Sequence, residues 1–141
     1  LAPESPKFYN SIGYTKSLLG DHEGALKYLN KAIDLDDSNH HYFFNRGVDY
    51  MCLRKYDYAL KDFTSAITLN HDFNANHFFY RGEANVRLGN LDNAKRDFNR
   101  ALSIDPEYER AKDSLSVISD DMRMKIKTKL WIAFGPALTQ K

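Results

Sequence analysis

Apolar residues recur along this chain at intervals of three and four, with polar residues between them, and the pattern breaks and restarts once every helix length. It is cleanest from Phe78 to Pro106. There Phe78 is followed by Arg81 and Gly82, then by Gly89, Ala94, Phe98, Ala101, Ile104 and Pro106. At helical spacing this stretch predicts two amphipathic helices joined by a tight turn. Gly82 and Ala94 are small residues on facing surfaces, so the two backbones can approach closely, and Phe78 and Phe98 fill the wider ends of the seam. Gly89-Asn90 supplies a positive-φ turn, and Asp105-Pro106 ends the second helix because proline cannot continue it. Such a pair has one closed seam and two open faces, and it needs neighbours to bury its core.

The same markers recur upstream. Gly13, Gly47 and Gly82 are 34 and 35 residues apart, and Ala25, Ala59, Ala94 and Ala32, Ala66, Ala101 keep those intervals. Each unit opens on an aromatic (Tyr9, Phe43, Phe78) and anchors its second helix on Leu29, Phe63 or Phe98, with the one extra residue falling in HDFNA after Asn70. Helices are expected over Pro6 to Leu19, Asp21 to Leu35, Asn39 to Arg54, Tyr56 to Asn70, Asn74 to Leu88 and Leu91 to Ile104, with a seventh after Pro106. The aromatic, the glycine, the Ala-x3-Phe step and the closing proline resemble three tandem tetratricopeptide repeats. The resemblance covers about three quarters of the chain, from Pro6 to Tyr108. It implies an all-α solenoid of three antiparallel helix pairs with a long C-terminal helix. The units are a lead-in at 1–5, repeats at 6–39, 40–74 and 75–108, a capping or projecting helix at 109–134 and a tail at 135–141.

The copies depart from the family pattern at informative places. Tyr or Phe stands for the usual Trp, the last copy alone keeps its proline, and Arg46 and Arg81 precede the glycine where leucine is usual. Where that residue is Arg, the residue sixteen later is Asp62 or Asp97; where it is Ile12, the partner is Tyr28. The covariation within one chain predicts inter-helix ion pairs, Arg46–Asp62 and Arg81–Asp97, that specify geometry more than they stabilise; the alternative is two arginines whose stems pack while their heads reach water.

Composition narrows the function. With 43% hydrophobic and 28% charged residues the chain is an ordinary globular one, and a net charge of +1 without a basic stripe along the repeats gives no footprint for nucleic acid. A lone cysteine, Cys52, excludes an internal disulfide framework and points to an intracellular, cytoplasmic setting. No apolar run approaches the twenty residues of a spanning helix, and no signal-peptide pattern precedes the first repeat. The chain begins at Leu1, so flanking domains are an open matter at this point.

Catalytic chemistry is not apparent. His22, His40, His41, His71 and His77 lack companions at a metal-ligand spacing, and the rings of His40 and His41, adjacent on a helix, are expected to point apart. Cys52 has no activating histidine on its own face, and there is no phosphate loop or nucleophile elbow. No cofactor and no metal are expected.

The family resemblance implies that the first helices line a concave surface that holds peptides of partner proteins. On that surface stand Asn10 and Tyr14 from the first repeat, His41, Phe44, Asn45, Val48 and Met51 from the second, and Asn76, Phe79, Tyr80 and Glu83 from the third. Aromatic rings flanked by amides suit an extended peptide backbone, although the same aromatics could pack adjacent first helices together. Members that clamp the acidic tails of heat-shock chaperones carry lysine, arginine and asparagine at five inner positions. Here those positions read Asn10, Tyr14, Asn45, Asn76 and Tyr80, and Asn45 alone matches. Without cations the carboxylates of such a tail lack charge-assisted partners, so a chaperone-tail clamp is not expected.

The C-terminal segment is the other candidate. Ile118, Met122, Ile126, Leu130 and Phe134 recur every four residues, and Trp131 to Ala133 widen the stripe until Gly135-Pro136 is expected to end the helix. This stripe could cap the third repeat, or join another copy or a neighbouring domain through Met122, Ile126, Leu130, Trp131 and Phe134. A membrane surface is disfavoured, because Arg123, Lys125, Lys127 and Lys129 alternate with apolar residues instead of forming one face. Two functional readings follow: a non-catalytic adaptor that binds a partner peptide in its groove, and an assembly unit that oligomerises or docks through its last helix.

Overall fold

A computed structural model describes the backbone of residues 2–138 and the side chains of residues 2–133. Among the described residues the regular elements are all helices: α1 (Pro6–Leu18), α2 (His22–Leu35), α3 (His40–Cys52), α4 (Tyr56–Leu69), α5 (Ala75–Arg87), α6 (Leu91–Ile104) and α7 (Glu109–Leu138). The observed starts lie one residue inside several expected ones because the residue before is a cap. Ser5 accepts from the Phe8 amide at 3.2 Å, Asp21 from Gly24 at 2.9 Å, Asn39 from His41 at 3.0 Å and Asn74 from Asn76 at 2.9 Å.

Antiparallel pairs α1–α2, α3–α4 and α5–α6 stack in order, each packing mainly on its neighbours in the chain. At each seam the glycine is required by close approach. A Cβ on Gly13, Gly47 or Gly82 would fall 2.8 Å from Leu29, 2.7 Å from Phe63 or 2.6 Å from Phe98. The six facing alanines, Ala25, Ala32, Ala59, Ala66, Ala94 and Ala101, are fully buried. Gly20 and Gly89 turn the first and third pairs with φ of 81° and 78°, and in the second pair Arg54 takes the same left-handed place at 58°.

Both expected ion pairs form as forks. Arg46 reaches Asp62 at 2.8 Å through Nε and 2.8 Å through Nη2, and Arg81 reaches Asp97 at 2.9 Å and 2.7 Å through the same atoms. Asp62 and Asp97 are buried, so each guanidinium is fixed against a carboxylate that water barely touches.

The last helix divides in two. Ala111 and Ile118, with Leu115 and Met122 beside them, pack on the core of the third pair, whereas Ile126, Leu130 and Trp131 are more than half exposed at 55%, 53% and 61%. Met122 therefore belongs to the cap and not to an outward docking surface, since α7 leaves the body only beyond it. The expected end at Gly135-Pro136 is also corrected: helical geometry runs through to Leu138. Proline has a helix-compatible φ and removes one backbone bond, which a long helix can carry. The side chain of Phe134 lies outside the described residues. No helix among them is long and apolar enough to cross a membrane.

Candidate functional site

The inner layer of the stack is α1, α3 and α5, with α7 placed as a fourth member beside α5. Asn10 and Asn45 meet across α1 and α3, where the Asn45 amide donates to Asn10 Oδ1 at 3.0 Å. They border a cleft of about 410 Å³ lined by Lys7, Asn10, Tyr14, Asn39, His41, Tyr42 and Asn45. Tyr14 and His41 are exposed at its rim. Its apolar wall and convergent amides can hold one side chain and hydrogen-bond the adjoining backbone.

Toward the third pair the face closes. Phe44 is half-buried, with its ring 5.7 Å from Phe63, 4.9 Å from His77 and 5.4 Å from Tyr80. Val48, Met51 and Tyr80 lean on the same buried cluster of Ala59, Phe63 and Ala84. These side chains thus join adjacent first helices while keeping part of their surface outward.

Phe79 is a correction: it is 2% exposed and cannot line an open groove. Its ring packs on Phe98 and Tyr108, and the Arg110 guanidinium lies 4.4 Å over its centroid. The physical reason is α7, which covers the third pair as the first helix of a further repeat would. Tyr108 donates to Asn76, and Ser114 donates to Glu83 at 3.0 Å. Asn76 and Glu83 are therefore held by the cap rather than left free for a ligand.

Sequence reasoning missed Lys7, Tyr42, Tyr108, Arg110 and Ser114. A signal for two of them was present: carrying the 34-residue interval on from Asn76 and Tyr80 arrives at Arg110 and Ser114. It also missed Asp49, which is fully buried. The Ser17 hydroxyl donates to Asp49 at 2.7 Å, and His22 Nδ1 lies 2.7 Å from the same carboxylate, so one acid ties α1, α2 and α3 together. Ser17 meets the carboxylate and not the imidazole, which makes the trio a clasp and not a nucleophile with its base.

The imidazoles also depart from expectation. The rings of His40 and His41 do not point apart but lie 4.0 Å from each other, tilted by 35°, and His40 is 5.1 Å from His77. His40 opens α3, where no preceding turn confines its side chain. Burial, together with the neighbouring His40 and His41, pushes His77 down to about 4. Among the described residues no group of three His, Cys, Asp or Glu side chains is spaced to hold a metal ion. Partial burial and then the Asp49 carboxylate raise the Cys52 thiol, away from thiolate reactivity.

Models of the tetratricopeptide repeat match residues 6–39 and 78–108. Over 53 residues the chain is 42% identical to serine/threonine-protein phosphatase 5 of Homo sapiens, a match that takes in 38% of this chain and 11% of the phosphatase. The chain thus spans a small part of the length of that relative. Among solved structures, the second tetratricopeptide domain of human RPAP3 in complex with the HSP70 peptide SGPTIEEVD is 31% identical, with 82% of this chain and 98% of that one aligned at a TM-score of 0.75. The first such domain of Spaghetti (RPAP3), bound to the HSP90 peptide SRMEEVD, is 26% identical over 87% and 97% of the two chains, with a TM-score of 0.81. With the registered glycines and alanines, the stacked helix pairs and a relative matched along nearly its whole length, this chain belongs to the tetratricopeptide repeat family and is a protein-interaction module.

Proposed function

We propose that the module is a non-catalytic adaptor that takes an extended segment of a partner along its inner face, centred on the cleft between α1 and α3. The observation that carries this reading is the Asn10–Asn45 amide pair at 3.0 Å bordering that cleft, in a family whose solved members hold peptides. Asn10 and Asn45 hydrogen-bond the peptide backbone, and Tyr14 and His41 flank one of its side chains above the buried Tyr42. Phe44, Val48, Met51 and Tyr80 form the floor that the segment crosses toward α7.

The segment we infer is neutral or aromatic and not an acidic chaperone tail. At the inner positions where the clamp carries cations or amides, Asn10, Tyr14, Asn76 and Tyr80 supply neither charge nor the matching donor, and Asn76 is engaged by Tyr108. Peptides selected from a random library should bind the wild-type domain and lose at least tenfold in affinity to Asn10→Ala/Asn45→Ala, about 1.4 kcal/mol. Undiminished binding by that variant would remove the cleft from the site. In the same fluorescence-anisotropy assay the peptide SRMEEVD should bind no tighter than its Gln/Asn counterpart with an amidated end. A clear, salt-sensitive preference for the acidic form would overturn the exclusion.

A second reading rests on α7, where Ile126, Leu130 and Trp131 stand exposed beyond the cap. Here the module would also self-associate or dock an adjoining domain through that helix. Sedimentation across a wide concentration range checks it, and a strict monomer at the highest concentration would end the self-association version.

A further inference from the structure

The two junctions between successive repeats share one arrangement on the outer side and differ in how it is filled. At the second junction α4 and α6 stand apart over α5, leaving a cleft of about 390 Å³ lined by Leu60, Thr64, Arg81, Asn85, Asn93, Arg96 and Asp97. Shifting by one repeat gives the corresponding residues of the first junction: Leu26, Asn30, Arg46, Tyr50, Tyr58, Lys61 and Asp62. Each junction thus has a guanidinium forked onto a buried aspartate, with a second cation on the next helix.

The first junction is filled from within the chain. Arg46 uses the donor left over from its fork, Nη1, to reach Asn30 Oδ1 at 2.9 Å. The rings of Tyr50 and Tyr58 lie 5.2 Å apart in the same space, Arg46 sits 5.8 Å over Tyr50, and Lys61 lies 6.0 Å over Tyr58. An acceptor and two aromatic rings therefore complete the guanidinium's surroundings.

At the second junction those three contributors are replaced by smaller or shorter side chains. Thr64 stands for Asn30, and its hydroxyl is committed to the Leu60 carbonyl at 2.8 Å. Asn85 and Asn93 stand for the two tyrosines, and the Asn85 amide leans on Asp97 at 3.3 Å. Arg81 spends Nε and Nη2 on Asp97, and among the described residues Nη1 meets no acceptor. Asn85 and Asp97 are 4% and 5% exposed, so the cleft has a buried polar floor rather than a surface dimple.

We infer that this outer cleft is a second binding site, separate from the inner groove, and that its ligand is a planar aromatic group carrying a carboxylate. The ring takes the space that Tyr50 and Tyr58 fill at the first junction, and the carboxylate accepts from Arg81 Nη1 as Asn30 does from Arg46, with Arg96 across the cleft adding charge. The cleft's charged lining, Arg81, Arg96 and Asp97, sums to one positive charge, which favours a monoanion over a neutral ring or a dication. Two sources share this chemistry: a free aryl carboxylate, and an aromatic side chain next to Asp or Glu in a partner protein.

The test is a titration of the isotope-labelled full chain by NMR with 4-hydroxybenzoate, with acetyl-Asp-Tyr-amide as the protein-like arm, and with benzamide and acetate as controls for charge and ring. Saturable shifts confined to the cleft residues are expected at millimolar concentrations with the first, the second or both, and the tighter arm identifies the source. Neither control should reproduce them. The variant Thr64→Asn/Asn93→Tyr, which copies the first junction at two surface-accessible positions, should keep the fold and weaken the aryl carboxylate at least tenfold. Conversely, Asn30→Thr/Tyr58→Asn should open the first junction and give a second set of saturable shifts there. Absence of localised shifts in the wild type with both ligands, or equal affinity in the wild type and the filled variant, would overturn the proposal.

Discussion

At the scale of single residues, the repeat leaves a record of where the chain conforms and where it does not. Arg54 occupies the turn position that Gly20 and Gly89 hold elsewhere, with φ at 58°. A side chain there costs roughly 1–2 kcal/mol, offset in part by the extra freedom glycine has in the unfolded chain. Arg54→Gly should therefore stabilise the domain by about 0.5–1 kcal/mol, seen as a rise of the urea midpoint at constant slope. His77 offers a second residue-level test. Its folded value of about 4 lies below the ordinary imidazole value, so the unfolded chain binds more protons in the interval between them. Stability should be independent of this group above pH ~6.5, fall as pH drops from there toward ~4, and level off below, a total of roughly 3 kcal/mol. Chemical denaturation across that range should show a flatter profile for His77→Gln than for the wild type.

Among the elements, the helix pairs can be compared with one another inside one molecule. The second and third pairs hold an Arg–Asp fork where the first has Ile12 and Tyr28. Burial raises the Asp62 carboxyl in spite of the arginine beside it, which marks desolvation as the larger effect at that site. Arg46→Ile alone leaves that acid without its partner and should cost about 3 kcal/mol. Arg46→Ile/Asp62→Tyr copies the first pair and should recover most of the loss; an additive double variant in thermal melts would contradict this account. These pairs, the seams at Gly13, Gly47 and Gly82 and the helix starts were legible in the sequence, because each is a local repeat of type and interval. The path of α7 was not. Its apolar period of four runs unbroken through Ile118, Met122 and Ile126, and nothing in that period marks where the supporting body ends. That unknown carried into the candidate site: Phe79 reads as groove until α7 covers it, and Asp49 gives no sign in sequence that Ser17 and His22 converge on it.

For the molecule as a whole, α7 acts as the end-piece that a stack of open-faced units requires. Removing residues 123–141 should leave the melting temperature nearly unchanged, since Ile118 and Met122 remain on the third pair. Removing residues 109–141 takes away Ala111, Ile118 and the Arg110 stack from Phe79, and should lower it sharply and promote aggregation. Equal melting temperatures for the two truncations would show that the cap is dispensable. The order of packing has one more consequence. Each helix finds its principal partners immediately before and after it in the chain, with thin contacts between α1 and α3 and between α3 and α5. No step of assembly has to close a long loop, so the entropic toll of each encounter is small, and any pair can serve as the nucleus from which its neighbours grow. The chain should accordingly fold within about a millisecond, fast for its length, and by several parallel routes rather than one obligatory sequence of events.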